Sequence, residues 1–163
     1  MSIMPTLDMD KDTFTQVGYL YNLLDKIGHL GLFERDLSCY MLEVLAVDSQ
    51  NMREINFAHR AKNSTTDVLS FPLDVSEGAD SHILAKQMKI CLGSVVINYE
   101  LAQKVAKQRG HSTQDEISLL FIHGFLHILG YDHEVDNGEQ RALEQKIIES
   151  LGLKESLIVR NTT

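Results

Sequence analysis

The stretch Phe121-Ile-His-Gly-Phe-Leu-His-Ile-Leu-Gly-Tyr-Asp-His133 holds three of the chain's seven histidines. His123 and His127 are four apart, so on an α-helix they share one face, a single turn from each other. Read backwards, residues 117–129 are apolar nearly all round, which predicts a buried central helix over 113–129. Ser112 or Thr113 would cap it, with Asp115 and Glu116 in the first turn, where the helix dipole favours anions. Gly130 stands where such a helix needs a residue able to turn left-handed and stop it. The chain then folds back, and His133 can bring a third imidazole to the same point. Three neutral imidazoles with a fourth position open suit one Zn²⁺ ion per chain, in a catalytic rather than a structural site.

The same spacing occurs in zinc peptidases as His-Glu-x-x-His-x-x-Gly-x-x-His, where the Glu is the general base. Here Gly124 holds the Glu position, and a glycine cannot accept a proton. Glu134 and Asp136 lie beyond the third histidine with nothing local to fix them near a metal. The metal site survives this objection; the peptidase mechanism lacks its base. Asp132, beside a ligand, is a candidate to accept a bond from an imidazole N–H. His29, His59, His82 and His111 have no ligand-like spacing.

Outward from this helix, the pattern alternates between strand-like and helical stretches. Helices are predicted over 12–28, with Asp12 or Thr13 as cap, over 49–59 with Ser49 as cap, over 99–108, and from Asp136 or Asn137 to 151. Strands are predicted over 36–48, 67–75 and 92–99, with only a weak signal in 2–10. Pro72 makes its strand an edge or marks its end. Residues 76–90 read as a loop. The sum is an α+β fold of one domain over 1–163: a small mixed sheet of three or four strands packed with about five helices, and flexible tails at 1–11 and 154–163.

Composition fits a compact cytoplasmic protein. At 163 residues the chain is about one domain, long enough to bury a core. No apolar run approaches the ~18 residues of a membrane span, and the acidic N-terminus has no secretory pattern. Cys39 and Cys91 have no Cys-x-x-Cys spacing and read as buried free thiols. A net charge of −8 argues against nonspecific wrapping of nucleic acid. It leaves room for a local basic groove. Lys104, Lys107 and Arg109 read as a solvated helix face, and Arg60 with Lys62 form a second cluster.

The histidine run resembles the signature of the YbeY-type bacterial endoribonucleases, ribosomal RNA maturation factors whose pattern is His-Gly-x-Leu-His-x-x-Gly-Tyr-Asp-His. A second stretch, Arg60-Ala-Lys-Asn-Ser-Thr-Thr-Asp-Val-Leu-Ser-Phe-Pro72, is similar to that family's Arg-x-x-x-x-x-Thr-Asp/Asn-Val-Leu-Ser-Phe-Pro block. A third, Leu92-Gly-Ser-Val-Val-Ile97, matches in part, with Ser94 where the family has Asp. The resemblance covers roughly residues 40 to 150. It implies a zinc-dependent, single-strand-specific endoribonuclease acting in ribosomal RNA maturation and ribosome quality control. Its partners would be ribosomal RNA and the small subunit or ribosome-associated proteins, with no membrane and no DNA. It also implies that His123, His127 and His133 hold the metal while Arg60 clamps a phosphate across the cleft. Two rivals stand beside it: a metallopeptidase-like hydrolase with its base elsewhere, and a non-catalytic ribosome-associated factor with a structural zinc.

Overall fold

Four strands, β1 (Thr6–Asp8), β2 (Met41–Val47), β3 (Val68–Pro72) and β4 (Cys91–Asn98), form one sheet in the order β1-β2-β4-β3. They are seen in a computed structural model that describes residues 3–74, 89–155 and 157–162. β1 runs parallel to β2 and β2 to β4, while β3 is antiparallel to β4. The sheet is therefore mixed, as expected. β4 carries the β-branched run Val95-Val96-Ile97, all three buried, which suits a central strand covered on both faces. β3 is an edge, and Pro72, with no N–H to donate, is its last residue.

The helices are α1 (Lys11–Val17), α2 (Leu20–His29), α3 (Ser49–Arg60), α4 (Tyr99–Arg109), α5 (Thr113–Ile128), α6 (Glu139–Ser150) and α7 (Leu157–Thr162). Alternation along β4 sends Val95 and Ile97 into the main core with Leu20, Ile27, Leu120 and Phe125. Val96 points the other way, into a smaller cluster with Met52 of α3 and Leu69 of β3. α5 is the centre of the larger core. Phe121 and Phe125, both fully buried, stack on that helix at 5.9 Å between ring centroids. Truncating either to Ala would cost about 3–5 kcal/mol. The rigid helix is thus anchored on the side away from its histidines.

Several boundaries differ from the sequence reading, each for a local reason. The helix expected over 12–28 is two, α1 and α2, broken at Gly18 and Tyr19. Its cap is Asp10, whose Oδ1 accepts the Thr13 N–H at 2.7 Å. The strand expected from residue 36 begins at Met41, because Asp36 Oδ1 takes both the N–H and the hydroxyl of Ser38 and makes a turn there. Asp48 rather than Ser49 caps α3. α6 starts later than expected, after Gly138 at φ 95°. The ends, 1–11 and 154–163, each carry an element among their described residues: β1 pairs in register with β2, and α7 buries Leu157 and Ile158. Most of the loop expected over 76–90, including His82, lies outside the described residues. Cys39 and Cys91 are in no disulfide, and are half-buried rather than buried.

Candidate metal centre

Ser112, one of the two expected caps, accepts the Asp115 N–H at 3.0 Å and starts α5. Gly130, at φ 96°, ends the reversal that follows it: the Gly130 N–H goes to the His127 carbonyl and the Tyr131 N–H to Leu126. The chain then doubles back, and Gln140 Oε1 of α6 accepts the His133 N–H at 3.0 Å. Two elements therefore hold the third histidine against the first two. Ring centroids lie 4.6 Å apart for His123–His127, 5.3 Å for His123–His133 and 5.5 Å for His127–His133. One nitrogen from each ring can be chosen so that all three lie within 4.8 Å of one another.

The donor set fits a metal ion. His123 Nε2 and His127 Nε2 are 3.1 Å apart, close to the ~3.3 Å of two nitrogens sharing a tetrahedral ion at 2.0–2.1 Å each. Among the described residues His133 Nδ1 is buried with no hydrogen-bond partner, and a buried imidazole nitrogen of this kind is one that a bound cation would satisfy. Burial lowers the His127 pKa below 6.5, and the neighbouring His123 and His133 charges lower it further against the opposing pull of Asp132. The site therefore favours the neutral imidazole that a metal needs.

The carboxylate behind the candidate ligands is Glu144 of α6. It is fully buried, with Oε2 2.9 Å from His123 Nδ1. Asp132 sits nearby, but its Oδ1 accepts the Glu134 N–H at 3.0 Å. Glu144 and Gln140 were missed in the sequence. The signal was there: two polar residues on the stripe 140, 144, 147, 148 that α6 buries.

Arg60 lines the same cavity as His123, His127 and His133, a space of about 680 Å³ that Asp67, Ser70 and Phe71 also border. Arg60 is the exposed last residue of α3, before Ala61, which caps the helix left-handed at φ 54°. Such a conformation in a non-glycine residue costs of order 1–2 kcal/mol and needs support. The Ala61 N–H closes on the Asn56 and Phe57 carbonyls, and buried side chains hold the loop that follows. Asn56 Nδ2 donates to the Ser64 carbonyl at 2.8 Å, and Asn98 Nδ2 reaches Thr65 Oγ1 at 3.1 Å and the Thr66 carbonyl at 3.2 Å. The Arg60–Pro72 block is thus tied to α3 and β4 and returns as β3 beside α5. Lys62 is exposed, as are Lys104, Lys107 and Arg109, the last three on α4.

Gly124 is where α5 touches the sheet. A Cβ there would lie 3.0 Å from both Ser70 Oγ and Val95 Cγ1, and Ser70 Oγ donates to the Gly124 carbonyl at 3.1 Å. The position that holds a base in the peptidases is here a backbone contact. Ser94 donates to Glu43 Oε1 at 2.8 Å across β2 and β4, so a carboxylate from the neighbouring strand stands beside it. Of the remaining histidines, His59 borders the cavity and packs on Phe71 with ring centroids 5.0 Å apart. His111 Nε2 meets Glu116 Oε2 at 2.7 Å, and His29 Nδ1 meets the Asp25 carbonyl.

An α+β fold whose buried helix and the loop after it present three converging imidazoles in an open cleft belongs, as a class, with the metal-dependent hydrolases. The sequence profile described as Endoribonuclease YbeY matches residues 11–152. The Nautilia profundicola protein named Endoribonuclease YbeY is 44% identical over 94% of this chain and 98% of its own. The Campylobacter jejuni protein of that name is 53% identical over 73% of this chain and 81% of its own. The chain belongs to the YbeY endoribonuclease family, a family of hydrolases. The solution structure of TM1509 from Thermotoga maritima matches at a TM-score of 0.54 over 91% of both chains, and at 20% identity that likeness speaks for the fold alone.

Proposed function

We propose that this protein is a zinc-dependent endoribonuclease that cuts single-stranded segments of ribosomal RNA in the cytoplasm. It would act in ribosome maturation and quality control, alongside the small subunit or ribosome-associated proteins. One observation carries the reading: Arg60 and the three imidazoles border one cavity, although 63 positions (123 minus 60) separate Arg60 from His123. The relatives named as endoribonucleases support the choice of RNA.

His123, His127 and His133 would hold the ion, which when bound supplies Lewis acidity at the scissile phosphate. Arg60 offers its planar fork of N–H donors to the phosphate oxygens and offsets the charge that builds there in the transition state. His59 and Phe71 give the rim two ring faces on which unpaired bases can stack. A flexible strand can lay one phosphodiester between Arg60 and the histidines. An A-form duplex keeps its bases stacked and its phosphates on a rigid surface. Gly124 leaves α5 without a carboxylate where a peptidase has one. Among the described residues no helix is long and apolar enough to cross a membrane.

The test uses protein purified without a histidine tag, on end-labelled single-stranded and duplex forms of one ribosomal RNA segment. The single strand should be cut, a chelator should stop the reaction, and Zn²⁺ should restore it. Chelator-resistant RNA cleavage, or zinc-dependent casein cleavage without RNA cleavage, would refute the assignment.

A further inference from the structure

Helix α6 buries a carboxylate where an amphipathic helix ordinarily buries an apolar side chain. Glu144 is fully enclosed on the stripe it shares with Ile147 and Ile148. A carboxylate so enclosed persists only with hydrogen-bond partners, and Glu144 divides its two oxygens between two other elements. Oε2 lies 2.9 Å from His123 Nδ1 on α5, and Oε1 accepts the Ile158 N–H at 3.2 Å, in the first turn of α7. α7 is itself firmly seated. Leu157, Ile158 and Arg160 are buried, and Arg160 makes paired 2.8 Å bonds to Glu116, near the start of the helix that carries His123. Leu157 also borders the metal cavity. The stretch matched by the family profile ends at residue 152, before α7 begins.

We infer that Glu144 is a positioning residue for the metal centre and that α7 acts on His123 through it. The inference rests on the metal-site reading above but not on the nature of the substrate. An acceptor at Nδ1 makes that nitrogen the protonated one. The Nε2 lone pair of His123 is then left facing His127 and available to the ion. A carboxylate with one partner can turn about its own bond; donors on both oxygens fix its plane, and with it the ring of His123. The Ile158 N–H is the second of those donors. Undocking the first turn of α7 would leave one oxygen buried and unpaired, and the carboxylate would turn or take up water. The C-terminal segment thereby sets how well the ligand is held.

Two measurements on the full chain test this, neither involving RNA, so their outcome is separate from that of the nuclease reading. In metal-free wild-type protein, nitrogen-detected NMR of the imidazoles should show His123 as the Nδ1–H tautomer. In competition with a chromophoric chelator, Glu144→Gln should bind Zn²⁺ at least about tenfold more weakly, the range seen when a partner of a ligating histidine is lost. Gln keeps the shape but must set its NH₂ against one of the two donors. Ile158→Pro and Ile158→Ala both lose the buried side chain, but only Pro loses the N–H, at a first-turn position where helices tolerate it. The Pro variant should bind Zn²⁺ several-fold more weakly than the Ala variant. A carboxylate that merely stabilises the fold would lower the melting temperature of Glu144→Gln and leave its zinc affinity unchanged. That result, or an Nε2–H tautomer in the wild type, overturns the role of Glu144. Equal affinities for the Pro and Ala variants overturn the role of α7. Should Glu144→Gln fail to fold, the wild-type tautomer and the Ile158 pair still decide.

Discussion

At position 124 the surroundings exclude a side chain: an added Cβ would lie 3.0 Å from Ser70 Oγ and Val95 Cγ1. Two effects then compete in Gly124→Ala. Removing a mid-helix glycine gains about 1 kcal/mol in helix propensity, while overpacking a tight contact costs about 1–3 kcal/mol. Ser70 Oγ is already committed to the Gly124 carbonyl, which limits its escape, so we predict a net loss of about 1 kcal/mol in urea unfolding of the metal-free protein. A variant as stable as wild type would mean that the helix lifts freely off β3. Gly124→Glu should go further and weaken metal binding, because the displaced turn carries His123 and begins the path to His127. Arg60 makes the opposite case, an exposed residue whose loss, on the proposed reading, would cost rate rather than stability. Arg60→Lys keeps the charge but loses the bidentate fork. Turnover on single-stranded RNA should fall at least about tenfold, with little change in RNA affinity, since the missing contact acts in the transition state. An Arg60→Ala enzyme that cuts at the normal rate would pass the phosphate-binding role to another residue, with Lys62 the first to test.

Among the elements, α5 brings together two groups whose charge states depend on the fold. Burial and the neighbouring imidazoles depress the His127 pKa below 6.5. The folded state thus favours the neutral ring, and the unfolded chain takes up a proton first as pH falls. Metal-free protein should lose stability as pH drops through about 6.5, measured as a falling urea midpoint between about pH 7.5 and 5.5. The slope should shrink in His127→Gln. A midpoint that rises on acidification would contradict the sign. Glu116 acts in the same direction at lower pH. Burial pushes its carboxyl up, but the hydrogen bonds and charges of Arg160 and His111 outweigh this and hold its pKa below 4.5. α5 also shows what a sequence can disclose. Its cap was narrowed to Ser112 or Thr113, while its stop at Gly130 and the shared face of its two histidines follow from spacing within one element, and both were legible. So was the edge position of the strand ending at Pro72. Adjacent candidates blurred the other caps: Asp10 won over Asp12 and Thr13, and Asp48 over Ser49, because backbone geometry chooses among neighbours of equal chemistry. β1, α7 and the Glu144–His123 bond depend on partners 14 to 44 positions away (158 minus 144; 160 minus 116). No local pattern encodes those.

For the molecule as a whole, the question is how an acidic chain holds a polyanion. The net charge is −8, and the three cations of the α4 cluster are exposed on a helix outside the residues that border the metal cavity. Among the described residues that border the cavity, Arg60 is the permanent cation, with Lys62 two positions on. Phosphate neutralisation should therefore involve about two contacts rather than the six to ten of a wrapped complex. For a single strand each neutralised phosphate contributes about 0.7 to the slope of log affinity against log salt, which gives a slope near −1.4. RNA affinity should then fall only about sevenfold from roughly 50 to 200 mM monovalent salt, measured by fluorescence anisotropy on a catalytically silent, chelated enzyme. Arg60→Ala should flatten the slope by about 0.7, whereas Lys107→Ala on α4 should leave it unchanged. A steep slope, or one that responds to the α4 lysines, would place the RNA along α4 instead of across the mouth of the metal cavity. A shallow slope would have a consequence for selectivity. An enzyme that holds RNA by so few charges would not linger on every RNA it meets, and on the proposed reading its choice of site would rest on how readily a strand enters the cavity.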